Sequence, residues 1–373
     1  MSREALLRRI AAEGRVTFRD AMDASLNDPD DGWYGSGKVE IGARGDFTTS
    51  AELHPVFGAC IATWVAEVWD RLDRPRELAI VEFGAGKGSL ARAMLDALRT
   101  ERPPVYDAAR SVLVECSAAM RSHASTKLGE HSERVEIVAA LAPEVLETTT
   151  VVVSNEFVDA LPVHAARVSD AGEVEELYVT ADADGVFTGA FDRPSTGRIA
   201  EYAGRFVPQI RSARPFAFEV GLDALDWVNC ITRAPNVRAV LTVDYGDIAA
   251  RVAGPQRPEG TLRAMRGRLP VKDVVGSLFE ADLTVDVNFD VLASTAIANG
   301  WVPRELETQA NWLCRMGAIE RIASAASASI AERLAMKTLL APGGLGDRMK
   351  VLELSADRPV ERSLSTTVLT SSD

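Results

Sequence analysis

Glu82-Phe83-Gly84-Ala85-Gly86-Lys87-Gly88 is the stretch that decides the fold, because it closes the apolar run Glu77 to Phe83 and opens the helical pattern Ser89 to Leu98. A buried strand, a tight turn and a helix follow one another without a spacer. The first glycine lets the chain turn sharply off the strand, and the later ones let backbone approach a ligand closely. The amino end of the helix adds N–H groups with no partner inside the helix. Spacing then separates the ligands such a loop could hold. A dinucleotide fingerprint needs a third glycine where this chain has Ser89, and a triphosphate-binding loop needs Gly-Lys-Ser/Thr where Lys87 is followed by Gly88. Glu82, two residues before the first glycine, suits a cofactor that carries an amine and a sulfonium rather than phosphates. The loop points to S-adenosylmethionine, with Glu82, Gly84, Gly86 and Gly88 as binding residues.

Working outward, Ile61, Trp64, Val65, Val68, Trp69 and Leu72 recur at helical spacing, which predicts a buried helix from Leu53 to Leu72. Ser111 to Val114 reads as a second strand ending at Glu115, a carboxylate placed to accept both ribose hydroxyls; the alternative is a solvated strand end. Val151-Val152-Val153 reads as a third strand and ends at Ser154-Asn155-Glu156, while Val240 to Asp244 and Met349 to Leu354 supply two more. Short apolar strands alternating with helices imply a parallel sheet covered on both faces, with its active groups at the strands' carboxyl ends. The expected class is α/β: a Rossmann-like methyltransferase sheet with an N-terminal helical cap and a β-rich insertion. Residues 1–52 form the cap and a cofactor-covering loop, and 53–162 the cofactor-binding half. Residues 163–235 form an insertion on the substrate side, with hairpin turns at Asp170-Ala171-Gly172 and Asp184-Gly185, and helix returns at Leu222 to Ile231. Residues 236–357 complete the core with a substrate-side loop 254–290, whose stretch Gly254 to Pro270 is expected to be mobile, and 358–373 form a disordered tail.

The chain has 373 residues, 41 basic and 54 acidic, for a formal charge of −13. That charge repels a phosphate backbone and an anionic bilayer, so neither nucleic acid nor a membrane is an expected partner. No apolar run approaches the roughly 20 residues that cross a bilayer. The first segment, Met1 to Arg15, is Arg-rich, yet Glu4 and Glu13 interrupt it, which argues for the first helix of a cytoplasmic protein rather than a transit peptide. Cys60, Cys116, Cys230 and Cys314 are far apart, and His54, His123, His131 and His164 show no ligand spacing, so no metal is expected. His123 and His131 read as surface residues.

Several motifs resemble the MidA-like family of methyltransferases, which includes a protein arginine methyltransferase acting in complex I assembly. They are Asp30-Asp31-Gly32-Trp33-Tyr34, Gly45 to Glu52, the Glu82 to Gly88 loop, Asn155-Glu156-Phe157-Val158-Asp159-Ala160-Leu161-Pro162, Val243-Asp244-Tyr245-Gly246 and Thr261-Leu262-Arg263. The resemblance spans nearly the whole chain. It implies that Asp46, Thr48 and Ser50 fold over the cofactor, although Ser50 would also serve as a helix cap. Two places depart from the family pattern: no histidine follows Arg263, and Thr284-Val285-Asp286-Val287-Asn288-Phe289 stands where the family has Thr-Ala-His-Val-Asp-Phe.

Methyl transfer from a sulfonium is an in-line displacement that needs alignment and exclusion of water. Glu156 and Asp159, three apart beyond a strand end, can grip a guanidinium bidentately and take up its proton. Asn155 is expected at the cofactor or the reacting group, and these three are the candidate catalytic residues. His164, Asp244 and Tyr245 are candidate substrate contacts. The leading expectation is methylation of a protein side chain, arginine. The departures motivate a small-molecule acceptor as the alternative, a non-catalytic assembly factor is the second, and a homodimer is an allowed assembly.

Overall fold

The strands β1 (Leu78–Phe83), β2 (Ala109–Val114), β3 (Val135–Val138), β4 (Thr150–Asn155), β5 (Val237–Asp247) and β6 (Met349–Ser355) run side by side in the order β3-β2-β1-β4-β5-β6. β1 to β5 are mutually parallel and β6 is antiparallel to β5. This computed structural model describes residues 1–39, 42, 48–211, 214–324, 329–341 and 343–356. Asp46 and the expected tail 358–373 lie outside them.

Successive strand residues point to opposite faces, and the helices cover both. Ile80, Val151, Val153 and Leu241 pack with Trp64, Leu90, Met94 and Leu98, from the helices Val56–Arg71 and Ser89–Glu101. Val81, Val112, Val152 and Val240 pack on the other face with Val228, Ile231 and Leu292, from the helices Leu222–Arg233 and Phe289–Ala298. Each fully buried aliphatic side chain contributes about 1.5–3 kcal/mol, so this two-sided burial is the main force holding the strand ends in register.

A second, antiparallel sheet joins Val16–Thr17, Val174–Ala181, His164–Val168 and Phe216–Val220, with Phe187–Asp192 paired to Val174–Ala181. Its hairpins turn at Gly172 and Gly185, both at positive φ (77° and 75°), where a side chain would be strained. A third sheet joins Leu269–Val271, Arg263–Arg266 and Asp282–Thr284. The N-terminal helices Arg3–Glu13 and Phe18–Asn27 pack against both smaller sheets through Leu6, Phe18, Met22, Val179 and Leu283.

Two expectations are corrected. Gly254 to Pro270, read as a mobile loop because of its Pro, Gly and Arg content, carries the strand Arg263–Arg266 and the first residues of its antiparallel partner, turning through Gly267 and Arg268, both at positive φ. His131 is buried, not on the surface: its Nδ1 lies 2.8 Å from the Tyr106 hydroxyl and its Nε2 3.0 Å from Asp96 Oδ1. Among the described residues, no helix is long and apolar enough to cross a membrane, and no group of His, Cys, Asp and Glu could hold a metal ion.

Candidate active site

The strand order reverses between β1 and β4, and the crevice beyond their carboxyl ends is where an open parallel sheet binds its ligand. A cavity of about 810 Å³ opens there. It is near the upper end of small-molecule sites, which leaves space for an acceptor beside a cofactor.

β1 ends in the glycine loop. Gly84, Gly86 and Gly88 all take positive φ (68°, 52° and 75°), the conformation that reserves these positions for glycine. A Cβ on Gly84 would come within 3.0 Å of the Phe157 ring, so the β1 loop and the β4 loop fit only without it. Gly88 precedes the helix Ser89–Glu101 with no side-chain cap. Gly84 and Gly86 line the cavity, whereas Gly88 stands behind it, against Ala124 and Leu128.

Glu115, at the end of β2, takes the Gly86 amide on Oε2 and the Ser117 amide on Oε1, each at 2.8 Å. Oε1 also receives the Cys116 thiol at 3.7 Å, while Oε2 retains a lone pair, so the same carboxylate can fix the loop and still accept a ribose hydroxyl. Glu82 is buried in the cavity wall, and burial, then the nearby Glu115, pushes its carboxyl up to about 8. Its Oε2 and the Oδ1 of Asn155 have no hydrogen-bond partner among the described residues. Two orphaned acceptors in one wall are the complement of a ligand that brings donors. The ammonium of S-adenosylmethionine is such a group, and the cradle fits that cofactor.

β4 ends at Asn155, and Glu156 follows at φ 50°, a left-handed conformation that is uncommon for a residue with a side chain. The surroundings enforce it. Glu156 donates its amide to the Val243 carbonyl at 2.9 Å, and its Oε1 accepts from the Ser50 amide at 3.0 Å and from Asn155 Nδ2 at 3.3 Å. Burial, then Asp159, pushes the Glu156 carboxyl up to about 8 despite those donors. Asp159 is raised well above the usual range by burial, then by Asp244 and Asp282. Tyr34, Tyr245, Arg263, Asp282 and Thr284 complete this side of the cavity. The Tyr34 hydroxyl donates to Asp282 at 2.5 Å, and Arg263 pairs with Asp286.

The sequence candidates therefore divide. Glu82, Gly84, Gly86, Glu115, Asn155, Glu156, Asp159, Thr48 and Tyr245 come together around the cavity. His164 does not: its Nδ1 bonds the buried Glu176 at 2.7 Å inside the second sheet. Asp244 is fully buried behind the β4 loop, where its carboxylate collects main-chain amides and cannot meet a substrate. Ser50 donates its hydroxyl to Gln309 Oε1 at 2.8 Å, so only its amide serves the site, through Glu156. His54 caps a turn, accepting from the Val56 amide. Sequence reasoning missed Asp282, which lies in a three-residue strand with no local signal, and left Tyr34 without a role although it sits in a quoted motif; Arg263, read with Arg257, Arg266 and Arg268 as a basic run that recognises an acidic acceptor or solvates a loop, lines the cavity.

A family model described as an S-adenosyl-L-methionine-dependent methyltransferase matches residues 60–306. The chain is 26% identical over 379 residues to "Protein arginine methyltransferase NDUFAF7 homolog, mitochondrial" of Drosophila melanogaster, covering 93% of this chain and 83% of that one. It is 26% identical over 312 residues to the Danio rerio "Protein arginine methyltransferase NDUFAF7, mitochondrial", covering 78% and 71%. A solved COG1565 superfamily protein from Burkholderia thailandensis, bound to S-adenosyl-homocysteine, superposes with a TM-score of 0.83 at 25% identity, over 96% of this chain and 93% of that one. The mitochondrial names of the relatives lend no support to the cytoplasmic placement expected from the sequence. By the match across most of its core, this chain belongs to the S-adenosyl-L-methionine-dependent methyltransferase family and is an enzyme of that class, with S-adenosylmethionine as its cofactor.

Proposed function

We propose that the acceptor is an arginine side chain of a protein. The observation that carries this reading is the convergence of Glu156, Asp159 and Asp282 on the cavity wall beside the glycine loop. A guanidinium is planar, permanently charged and forked, and paired carboxylates match it. Neither a neutral metabolite nor a purely structural role explains why acids are gathered at one wall, where burial raises the cost of ionising Glu156 and Asp159.

Bound S-adenosylmethionine supplies a methyl carbon made electrophilic by its sulfonium. Glu82 and Asn155 hold the cofactor's donors, Glu115 its ribose, and Thr48 closes over it. Glu156 and Asp159 orient the guanidinium so that one nitrogen faces the methyl carbon. As the C–N bond forms, the C–S bond breaks and its electron pair stays on sulfur. The nitrogen's proton passes to Glu156, whose Oε2 is uncommitted among the described residues. The Tyr245 ring, with the Arg348 guanidinium 5.6 Å from its centroid, walls the acceptor side. In this reading Asp244 acts by placing the loop, and 254–290 is the substrate-side loop.

The relatives' names support the arginine assignment for those proteins. The experiment is incubation of the purified chain with methyl-labelled cofactor and an arginine peptide, or the same peptide with lysine. Label on the arginine peptide alone is expected. Label on neither peptide, with label on a small molecule from an extract, would replace this reading with the metabolite one.

A further inference from the structure

In a chain of net charge −13, the ten residues Arg263 to Lys272 hold Arg263, Arg266, Arg268 and Lys272 and not one acid. The structure folds this run as an antiparallel hairpin, with Met265 opposite Pro270 and Arg266 opposite Leu269. One end of its first strand serves the cavity: Arg263 and Met265 line the wall, and Ala264 between them is buried in the core. The other end stands outside. Arg266 and Lys272 are exposed, and Leu269 at the turn is 70% exposed, the second most open of the large apolar side chains among the described residues. Arg268 reaches across to the Gly42 carbonyl at 3.0 Å and the Thr48 hydroxyl at 3.1 Å, which pins the turn beside the cavity's rim.

We infer that this hairpin is the docking surface for the substrate and that it selects an extended segment whose target arginine is flanked by acidic side chains. The inference rests on the arginine reading above and goes beyond it by naming the substrate's context. The charges alternate in depth: carboxylates inside, which take a cation, and cations at the rim, which take anions. A polyanion without a central cation would satisfy the rim but bring no positive charge to Glu156 and Asp159. Leu269 offers the apolar contact that a purely ionic rim lacks. Arg266 is paired with Glu280, but both partners are more than half exposed, and a pair of that kind yields readily to a competing carboxylate.

The test uses the full chain saturated with S-adenosyl-homocysteine and three labelled peptides that share a central arginine flanked by Glu, by Ser or by Lys. Anisotropy at low salt should rank them in that order, with the Glu-flanked peptide about tenfold tighter than the Ser-flanked one and the gap closing as salt rises. The double variant Arg266→Glu/Lys272→Glu should reverse the ranking while its calorimetric affinity for S-adenosyl-homocysteine stays unchanged, and Leu269→Ser should weaken all three. Equal binding of the three peptides, an unchanged ranking in the double variant, or equally tight binding of an oligonucleotide of the same charge overturns the proposal. With methyl donor added, equal transfer to all three peptides sinks the docking surface and keeps the arginine reading. Ranked binding with no transfer to arginine does the reverse.

Discussion

Asp244 holds Val158: the Oδ2 of the fully buried carboxylate accepts the Val158 amide at 2.9 Å, with the Phe157 amide at 3.2 Å and the Asp159 amide at 3.3 Å. Its Oδ1 takes the Tyr245 amide at 2.8 Å. One carboxylate at the end of β5 thus ties down the turn that follows β4, and that turn carries Phe157 over Gly84 and sets Glu156 and Asp159 toward the cavity.

Asp244→Asn would turn an amide donor toward backbone donors, at a cost of about 1–3 kcal/mol. We expect a lower melting temperature and a methyl-transfer rate down by about a hundredfold, because a 1 Å displacement of the acids misaligns the acceptor. Calorimetry with S-adenosyl-homocysteine should show a much smaller loss. A rate equal to wild type would mean that the turn holds its shape without this anchor.

Gly86→Val should fold, with an unchanged far-ultraviolet circular dichroism spectrum, and lose cofactor affinity by more than about a hundredfold. A β-branched residue at φ 52° is strained, and the strain breaks the Gly86 amide's bond to Glu115. Glu115→Ala removes the partner of the same bond together with the proposed ribose acceptor, so the two variants should be non-additive. Full affinity in either variant would overturn the placement of the cofactor.

Glu156→Gln should lower kcat by about 10²–10⁴-fold, the usual worth of a positioned base. Since burial pushes the Glu156 carboxyl up to about 8, the free enzyme holds the base ionised only above that pH, and kcat/KM should rise with pH and level off near there. A bound guanidinium favours the carboxylate, so the kcat profile should turn at lower pH. The variant's profile should be flat; a variant that keeps the wild-type slope would place the titrating group elsewhere.

Stability should move the other way. Glu82 is raised from 4.5 to about 8, so the folded chain holds a proton that the unfolded chain releases. This contribution is complete below pH 4.5 and is lost as pH rises toward 8, above which both states are ionised and the slope vanishes. Urea titrations across that window should show Glu82→Gln to be less sensitive to pH than wild type and the more stable of the two at its alkaline end. Parallel curves for the two proteins would contradict the buried, uncompensated carboxyl.

Much of the fold was legible because its signals are local. The apolar runs Ile80-Val81 and Val151 to Val153 must be buried wherever they fall, and a glycine turn between strand and helix can be read from consecutive residues. The stripe containing Trp64 and Trp69 announces one buried helix face, and both side chains are buried. The hairpin at Arg263 was hidden by the opposite logic, since Pro, Gly and Arg suit a free loop until Asp282–Thr284 arrives to pair with it.

The side chains divide on the same physical line. The sequence by itself determined the cofactor loop, the strand-end acids Glu115 and Glu156 and the parallel core, since each follows from chain neighbours and from the period of the apolar pattern. Only the tertiary structure decided that Asp244 serves the backbone, that His164 belongs to Glu176, that Ser50 acts through its amide, and that Tyr34 and Asp282 join Asp159 at one cavity. Those roles depend on partners up to 259 residues away, and no local preference encodes which distant group a buried polar atom will find once burial obliges it to find one.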